Sequence, residues 1–171
     1  MRVLGIDPGL RITGYACVEG DAIRPSIVEA GVFRLVKGGV TPDLADRLVE
    51  LDADLRDLIG RVQPNAIAIE TMFTNLNHPG TIVTMAHGRG VVLLAARQCG
   101  VPILELKPAE VKKAATGSGR ADKGQMQRAM QDLFNLESLP TPSDLADALA
   151  IATLGLRRAE VAGAITGVRG V

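Results

Sequence analysis

The sequence predicts an α/β domain built on a five-stranded mixed sheet with helices on both faces. Three short apolar runs in succession, residues 2–7, 12–19 and 27–36, carry the strand pattern and are separated by turn residues. Such an arrangement reads as an antiparallel meander. Two further runs, 66–70 and 101–106, alternate with segments of helical period, the order expected of a sheet covered by helices. At 171 residues, of which 47% are apolar, the chain is long enough to bury a substantial core as one domain.

The first strand, RVLGID, stops at Asp7, and Pro8-Gly9 turns the chain. Proline pre-sets φ and glycine accepts the positive φ of a tight turn. After the second and third strands, Thr41-Pro42-Asp43 opens a long helix. Leu44, Leu48, Leu51, Leu55 and Leu58 recur in it at three- and four-residue spacing and leave the acids outward. Pro64-Asn65 ends that helix. Residues 66–70, AIAIE, form a continuous apolar run, as expected of a central strand covered on both faces.

A polar loop, TNLNHPG, leads into an apolar helix over 81–98, whose Gly88 and Gly90 suggest a close helix contact. A lone histidine in that helix, His87, reads as a packing residue. After the fifth strand come two basic, helix-prone segments separated by the flexible stretch 116–120. The last helix is expected to take Thr141 as its N-cap and Pro142 as its first residue, and to run through 158. Residues 162–171 read as a loose tail, which leaves 1–161 as the single domain.

Charge and composition narrow the function. No apolar run approaches the ~20 residues that span a bilayer, so no membrane partner is expected. The N-terminus enters strand pattern without a basic leader or cleavage site, and a cytoplasmic location is expected. Only two cysteines occur, Cys17 and Cys99, with no CxxC or Cys/His cluster near either; a zinc site is not expected. The formal net charge is zero, yet charge is uneven. Residues 107–128 hold six basic residues and two acids, a net +4, whereas 41–63 carry a net −3. That contrast suggests one side facing a polyanion and one solvated side.

Four acids then stand out. Asp7 and Glu70 each close an apolar strand, after Ile6 and Ile69 respectively. Two parallel strands side by side would bring these carboxylates to one sheet edge, where open α/β sheets place ligands. Asp144 and Asp147 are three apart and project from one helical face. Asp144 suits a first helical turn, where an acid favours the dipole. Asp147 lies a turn further in, between Ala146 and Ala148, where an acid is unfavourable unless a cation balances it. Four carboxylates without a His/Cys cluster select a hard cation, Mg²⁺ or Mn²⁺. Two such ions can clamp the attacking and leaving oxygens of a phosphoryl displacement. With a basic segment nearby, the features point to a metal-dependent nuclease.

With these residues in view, the sequence resembles the RuvC-type Holliday-junction resolvases of bacteria, in the ribonuclease H/integrase-like superfamily. The matching stretches are LGIDPGLRITGY (4–15), AIAIETMF (66–73), GRGVVLLAA (88–96), VKKAATGSGRADKGQMQ (111–127) and DLADALAIA (144–152). They cover nearly the whole chain except the tail. The resemblance implies a ribonuclease H-like fold, with Asp7, Glu70, Asp144 and Asp147 as catalytic, metal-binding acids and two ions per site. It also implies that Lys112, Lys123 and Phe73 contact DNA, Phe73 as an aromatic that stacks or wedges at the junction. A homodimer nicking two strands symmetrically across a four-way junction, in recombination and repair, follows from the same likeness. So does cooperation with a branch-migration complex. One departure is visible at 85–90, Met-Ala-His-Gly-Arg-Gly, where the family more often has Gly-Gln-Ala-Arg-Gly at 86–90.

Two other readings stay open on the sequence. An Asp-x-Gly turn between strands also cradles phosphate in actin-like ATPases and sugar kinases, although those need a second phosphate loop and a second domain. A non-catalytic junction-binding module would use the same basic face, but gains nothing from four acids beside phosphates.

Overall fold

A computed structural model describes residues 1–21, 23–72 and 79–167, with 79–81 and 163–167 described as backbone only. Five strands, β1 (Arg2–Asp7), β2 (Ile12–Gly20), β3 (Pro25–Arg34), β4 (Ala66–Glu70) and β5 (Ile103–Leu106), form one sheet in the order β3-β2-β1-β4-β5. β1, β2 and β3 pair antiparallel, whereas β1–β4 and β4–β5 are parallel. The predicted meander and mixed sheet are therefore present.

Alternation along the strands divides the core in two. Leu4 and Ile6 of β1, with Ile67 and Ile69 of β4, pack under α1 (Leu44–Val62) and α2 (Pro79–Gln98). Leu51, Leu55 and Leu58 supply the α1 side of that layer, as their spacing predicted. Val3 and Ala68 face the other way, toward α3 (Pro108–Thr116), α4 (Lys123–Phe134) and α5 (Ser143–Gly167). The acidic α1 and the basic α3–α4 segment thus lie on opposite faces of the sheet. Among the described residues, no helix is long and apolar enough to cross a membrane.

α5 is the helix that sets the geometry of this second face, because it rests on strand backbone. A Cβ added at Gly5 would stand 2.4 Å from both the Ala148 carbonyl oxygen and the Ala152 nitrogen. One added at Gly14 would stand 2.0 Å from the Asp144 carbonyl oxygen. On the helix side the contact residues are small too: Ala146, Ala148 and Ala152 are fully buried. Missing side chains on the strands and single methyl groups on the helix let helix and sheet approach more closely than ordinary packing allows.

The structure departs from the sequence reading at several places. α5 begins at Ser143, and the Pro142 carbonyl accepts from the Leu145 N–H, so Pro142 stands at the cap instead of inside the helix. The helix continues to Gly167, into the segment expected as a loose tail; no proline interrupts that stretch and alanines favour the helix. Gly90 has open space around it, and a methyl at Gly88 would meet Leu10 and Pro8 only at ordinary contact distance. Neither glycine is therefore required by a close contact. His87 is exposed on α2, not packed, because the helix turns its other side to the core.

Gly5→Ala is expected to lower stability by about 1–3 kcal/mol, the usual range for forced overpacking. Urea denaturation measures it, and Gly60→Ala, where a Cβ meets nothing within 4 Å, is the control expected to be neutral or better.

Candidate active site

The same alternation that sorts the core delivers the acids. On β1, Val3, Gly5 and Asp7 share the face toward α5; on β4, Ala66, Ala68 and Glu70 do. β1 and β4 run parallel in register through Ile6–Ile69, so Asp7 and Glu70 occupy the next rung. On its other side Asp7 pairs with Gly14, and the missing Gly14 side chain is where the Asp144 backbone lies. The α5 acids are therefore seated directly beside Asp7. Asp147 follows one turn later, half-buried between the buried Ala146 and Ala148.

The turn carrying Asp7 is fixed from several directions. The buried Thr13 hydroxyl donates to the Gly9 carbonyl at 2.7 Å and accepts from the Gly9 N–H at 3.3 Å. From α1, the Arg47 guanidinium donates to the Leu10 carbonyl at 2.9 Å. These bonds leave the strand end little freedom.

Electrostatics register the crowding. Burial first, then the charges of Asp147, Glu70 and Asp144, push the Asp7 carboxyl up to about 8. Burial and Asp147 raise Glu70 to about 7. Asp147 is raised as well, chiefly by burial. Two cations oppose the rise: Lys123 acts on Asp7 and Asp147, Lys112 on Glu70 and Asp147. Lys112 is half-buried on α3, and Lys123 opens α4 and reaches the Ser143 hydroxyl at 3.2 Å. A cavity of about 190 Å³ adjoins Asp7 and Glu70, walled by Met72, Met85, Arg89 and Pro108.

All four predicted acids and both predicted lysines thus meet at one sheet edge. Phe73 lies outside the described residues, as does His78. Mutual repulsion among half-buried carboxylates is the environment a hard divalent cation relieves, and an all-oxygen set suits Mg²⁺ or Mn²⁺. Among the described residues, however, no three of these side chains stand close enough together to hold an ion between them. An ion here would complete its shell with water and phosphate oxygens, the habit of Mg²⁺ at phosphate-handling sites. Arg47, Arg89 and Pro8 also shape this edge, and sequence reasoning assigned no role to either arginine. Each donates to a main-chain carbonyl, Arg47 to Leu10 and Arg89 to Glu70, and such contacts leave no motif.

An all-carboxylate site flanked by lysines at the carboxyl ends of parallel strands defines the class: a phosphoryl-transfer site of the metal-dependent nuclease kind. Comparison with known proteins gives the family. The model of the family "Crossover junction endodeoxyribonuclease RuvC" matches residues 3–154, and the chain belongs to that family. The RuvC of Moorella thermoacetica is 44% identical over 152 residues, covering 89% of this chain and 89% of that protein. The RuvC of Rhodopirellula baltica is 41% identical over 153 residues, covering 90% and 84% respectively. The solved structure of Thermus thermophilus RuvC in complex with a Holliday junction substrate superimposes with a TM-score of 0.84 at 29% identity, over 95% of this chain and 96% of that one. The yeast mitochondrial resolvase Ydc2 shares the fold, at 20% identity and a TM-score of 0.65. The ribonuclease H-like architecture implied by the sequence resemblance is therefore the architecture of this chain.

Two pH effects follow. The folded protein holds protons on Asp7 and Glu70 that the unfolded chain releases near pH 4. Metal-free protein is thus expected to lose stability as pH rises from about 4 to about 8; Asp7→Asn flattens that loss, read by thermal melts in chelator at pH 5 and pH 8.5. Cation binding must displace the same protons, so the Mg²⁺ concentration giving half-maximal activity is expected to fall as pH rises from 6 to 8.5.

Proposed function

We propose that this chain is a structure-selective endonuclease that resolves four-way DNA junctions in recombination and repair by divalent-metal-dependent phosphodiester hydrolysis. The observation that carries this reading is the meeting of Asp7, Glu70, Asp144 and Asp147 with Lys112 and Lys123 at one edge. It occurs in a chain that superimposes along nearly its whole length on a RuvC bound to a Holliday junction.

In this reading the four carboxylates hold Mg²⁺, with Mn²⁺ as a substitute and two ions per site. Such ions supply positive charge to the attacking and leaving oxygens of an in-line displacement. The chain's own residues do the rest. Thr13 and Arg47 hold the Asp7 turn, so the acid is presented without reorganisation. The α5 acids are locked to the sheet by the glycine contacts. Lys112 and Lys123 offset charge that develops on the phosphate, and the net positive 107–128 segment holds the DNA backbone beside them. Phe73, three residues after Glu70, is assigned to the DNA-contacting set through the resemblance, as an aromatic at the junction.

Two equal sites are needed to nick two strands symmetrically, and a two-fold homodimer supplies them. The α2 face formed by Val83, Ala86, His87, Gly90 and Leu94 suits that role. It is apolar and small-residued, with Val83 and Leu94 exposed by 55% and 53%, and it belongs to the helix that walls the cavity beside Glu70. A branch-migration complex as partner and a cytoplasmic location belong to the same proposal.

A synthetic, non-migrating junction labelled on each arm tests the reading. Asp7→Asn and Asp147→Asn are each expected to lower Mg²⁺-dependent cleavage by at least about 100-fold while junction binding persists; Lys112→Ala is expected to slow it by about 10–100-fold. Matched linear duplex should be cut far less than the junction. Equal cutting of both would reduce the activity to that of a general nuclease. Leu94→Glu is expected to give a monomer in sedimentation velocity, with paired nicking lost.

A further inference from the structure

The end of β4 presents a hydrogen-bonding problem that the sequence of β1 creates. Ile67 N–H donates to the Pro102 carbonyl and Thr71 N–H to the Leu106 carbonyl, so odd-numbered residues of β4 point their backbone groups at β5. Even-numbered residues, Glu70 included, therefore point theirs at β1. With Ile6 opposite Ile69, parallel pairing assigns the Glu70 carbonyl to the N–H of residue 8. Residue 8 is Pro8, which has no N–H. A strand carbonyl next to a half-buried carboxylate would lose its partner there, and an unpaired buried carbonyl is destabilising.

Arg89 occupies the gap. Its guanidinium projects from α2, donates one N–H to the Glu70 carbonyl and another to the Glu105 carboxylate on β5, and is only 12% exposed. One side chain thus replaces the missing rung of the β1–β4 ladder and pins β4 to β5 at the same point. We infer that Arg89 is the positioning residue for Glu70: it acts on the backbone that carries this acid, with Glu105 orienting the guanidinium. A planar fork with several donors does this where lysine, a single point charge, does so incompletely.

The inference rests on Glu70 being a cation ligand, so the test separates the two claims. Mn²⁺ binding to the DNA-free protein is measured by calorimetry for wild type, Glu70→Gln and Arg89→Leu, with the Mg²⁺ dependence of junction cleavage and amide exchange at Thr71 measured in parallel. Arg89→Leu is expected to weaken Mn²⁺ binding about 5–10-fold, raise the half-maximal Mg²⁺ concentration similarly, leave KM for the junction unchanged, and speed Thr71 exchange.

Pro8→Ala restores the missing N–H and is expected to recover part of the loss in the Arg89→Leu background. If Arg89→Leu does not fold, Arg89→Lys and Glu105→Gln take its place, with smaller shifts in the same direction. Wild-type Mn²⁺ binding and Thr71 exchange in the Arg89 variants, with binding lost in Glu70→Gln, would overturn the role of Arg89 alone. Unchanged binding in Glu70→Gln would overturn the reading of the site itself. Failure of Pro8→Ala to recover anything would refute the ladder argument.

Discussion

Contact between α5 and bare strand backbone is the constraint on which the site depends. Two of the four acids belong to strands and two to a helix, and ordinary side-chain layers would hold these elements well apart. Gly5, Gly14 and the facing alanines remove that layer. Asp144 is then set against the rung partner of Asp7, and Asp147 falls beside it by helical period. The placing of the four acids is thus a property of packing before it is one of charge.

Charge then works against the fold. Burial and mutual repulsion raise Asp7 to about 8 and Glu70 to about 7, so their ionised forms are held at a cost to stability. The surrounding bonds offset some of that cost and keep the acids from relaxing apart. Thr13 closes the turn, Arg47 grips the Leu10 carbonyl, and Arg89 takes the Glu70 carbonyl. None of the three pairs with any of the four site acids; Arg89 takes the carboxylate of Glu105 instead. Their grip is on the main chain, which leaves the carboxylate oxygens available to a cation.

Much of this was legible in the sequence, for identifiable reasons. Period-2 and period-3.6 patterns are strong in β1, β4 and α1, and two strands ending in acids after isoleucine are visible without coordinates. The meeting of Asp7 and Glu70 depends on a parallel pairing of β1 with β4, which the sequence offers only as a condition and which is present. Thr141-Pro142 imitates a cap and first turn, so the sequence points to a start for α5 one residue before the actual one. Its end was placed too early because small residues and glycine read as a tail. Arg89 carries a signal, an arginine in the middle of an apolar helix, but its use depends on which way β4 points its carbonyls. That fact exists only once the ladder is known. A helix rich in apolar residues looks buried all round, which is why the sequence suggests a packed His87, whereas one side of α2 is open.

The separation of α1 from the α3–α4 segment by the thickness of the sheet has a consequence for how the molecule meets its ligand. A chain with no net charge exerts no long-range pull on DNA, yet one with its negative and positive patches on opposite faces has a dipole across the sheet. In the field of a polyanion such a body experiences a torque before it experiences much attraction, and that torque weakens within about one Debye length, some 8 Å at physiological salt. On the proposed function, such a protein is turned as it approaches DNA, so that encounters begin with the acid site and its lysines already facing the phosphates.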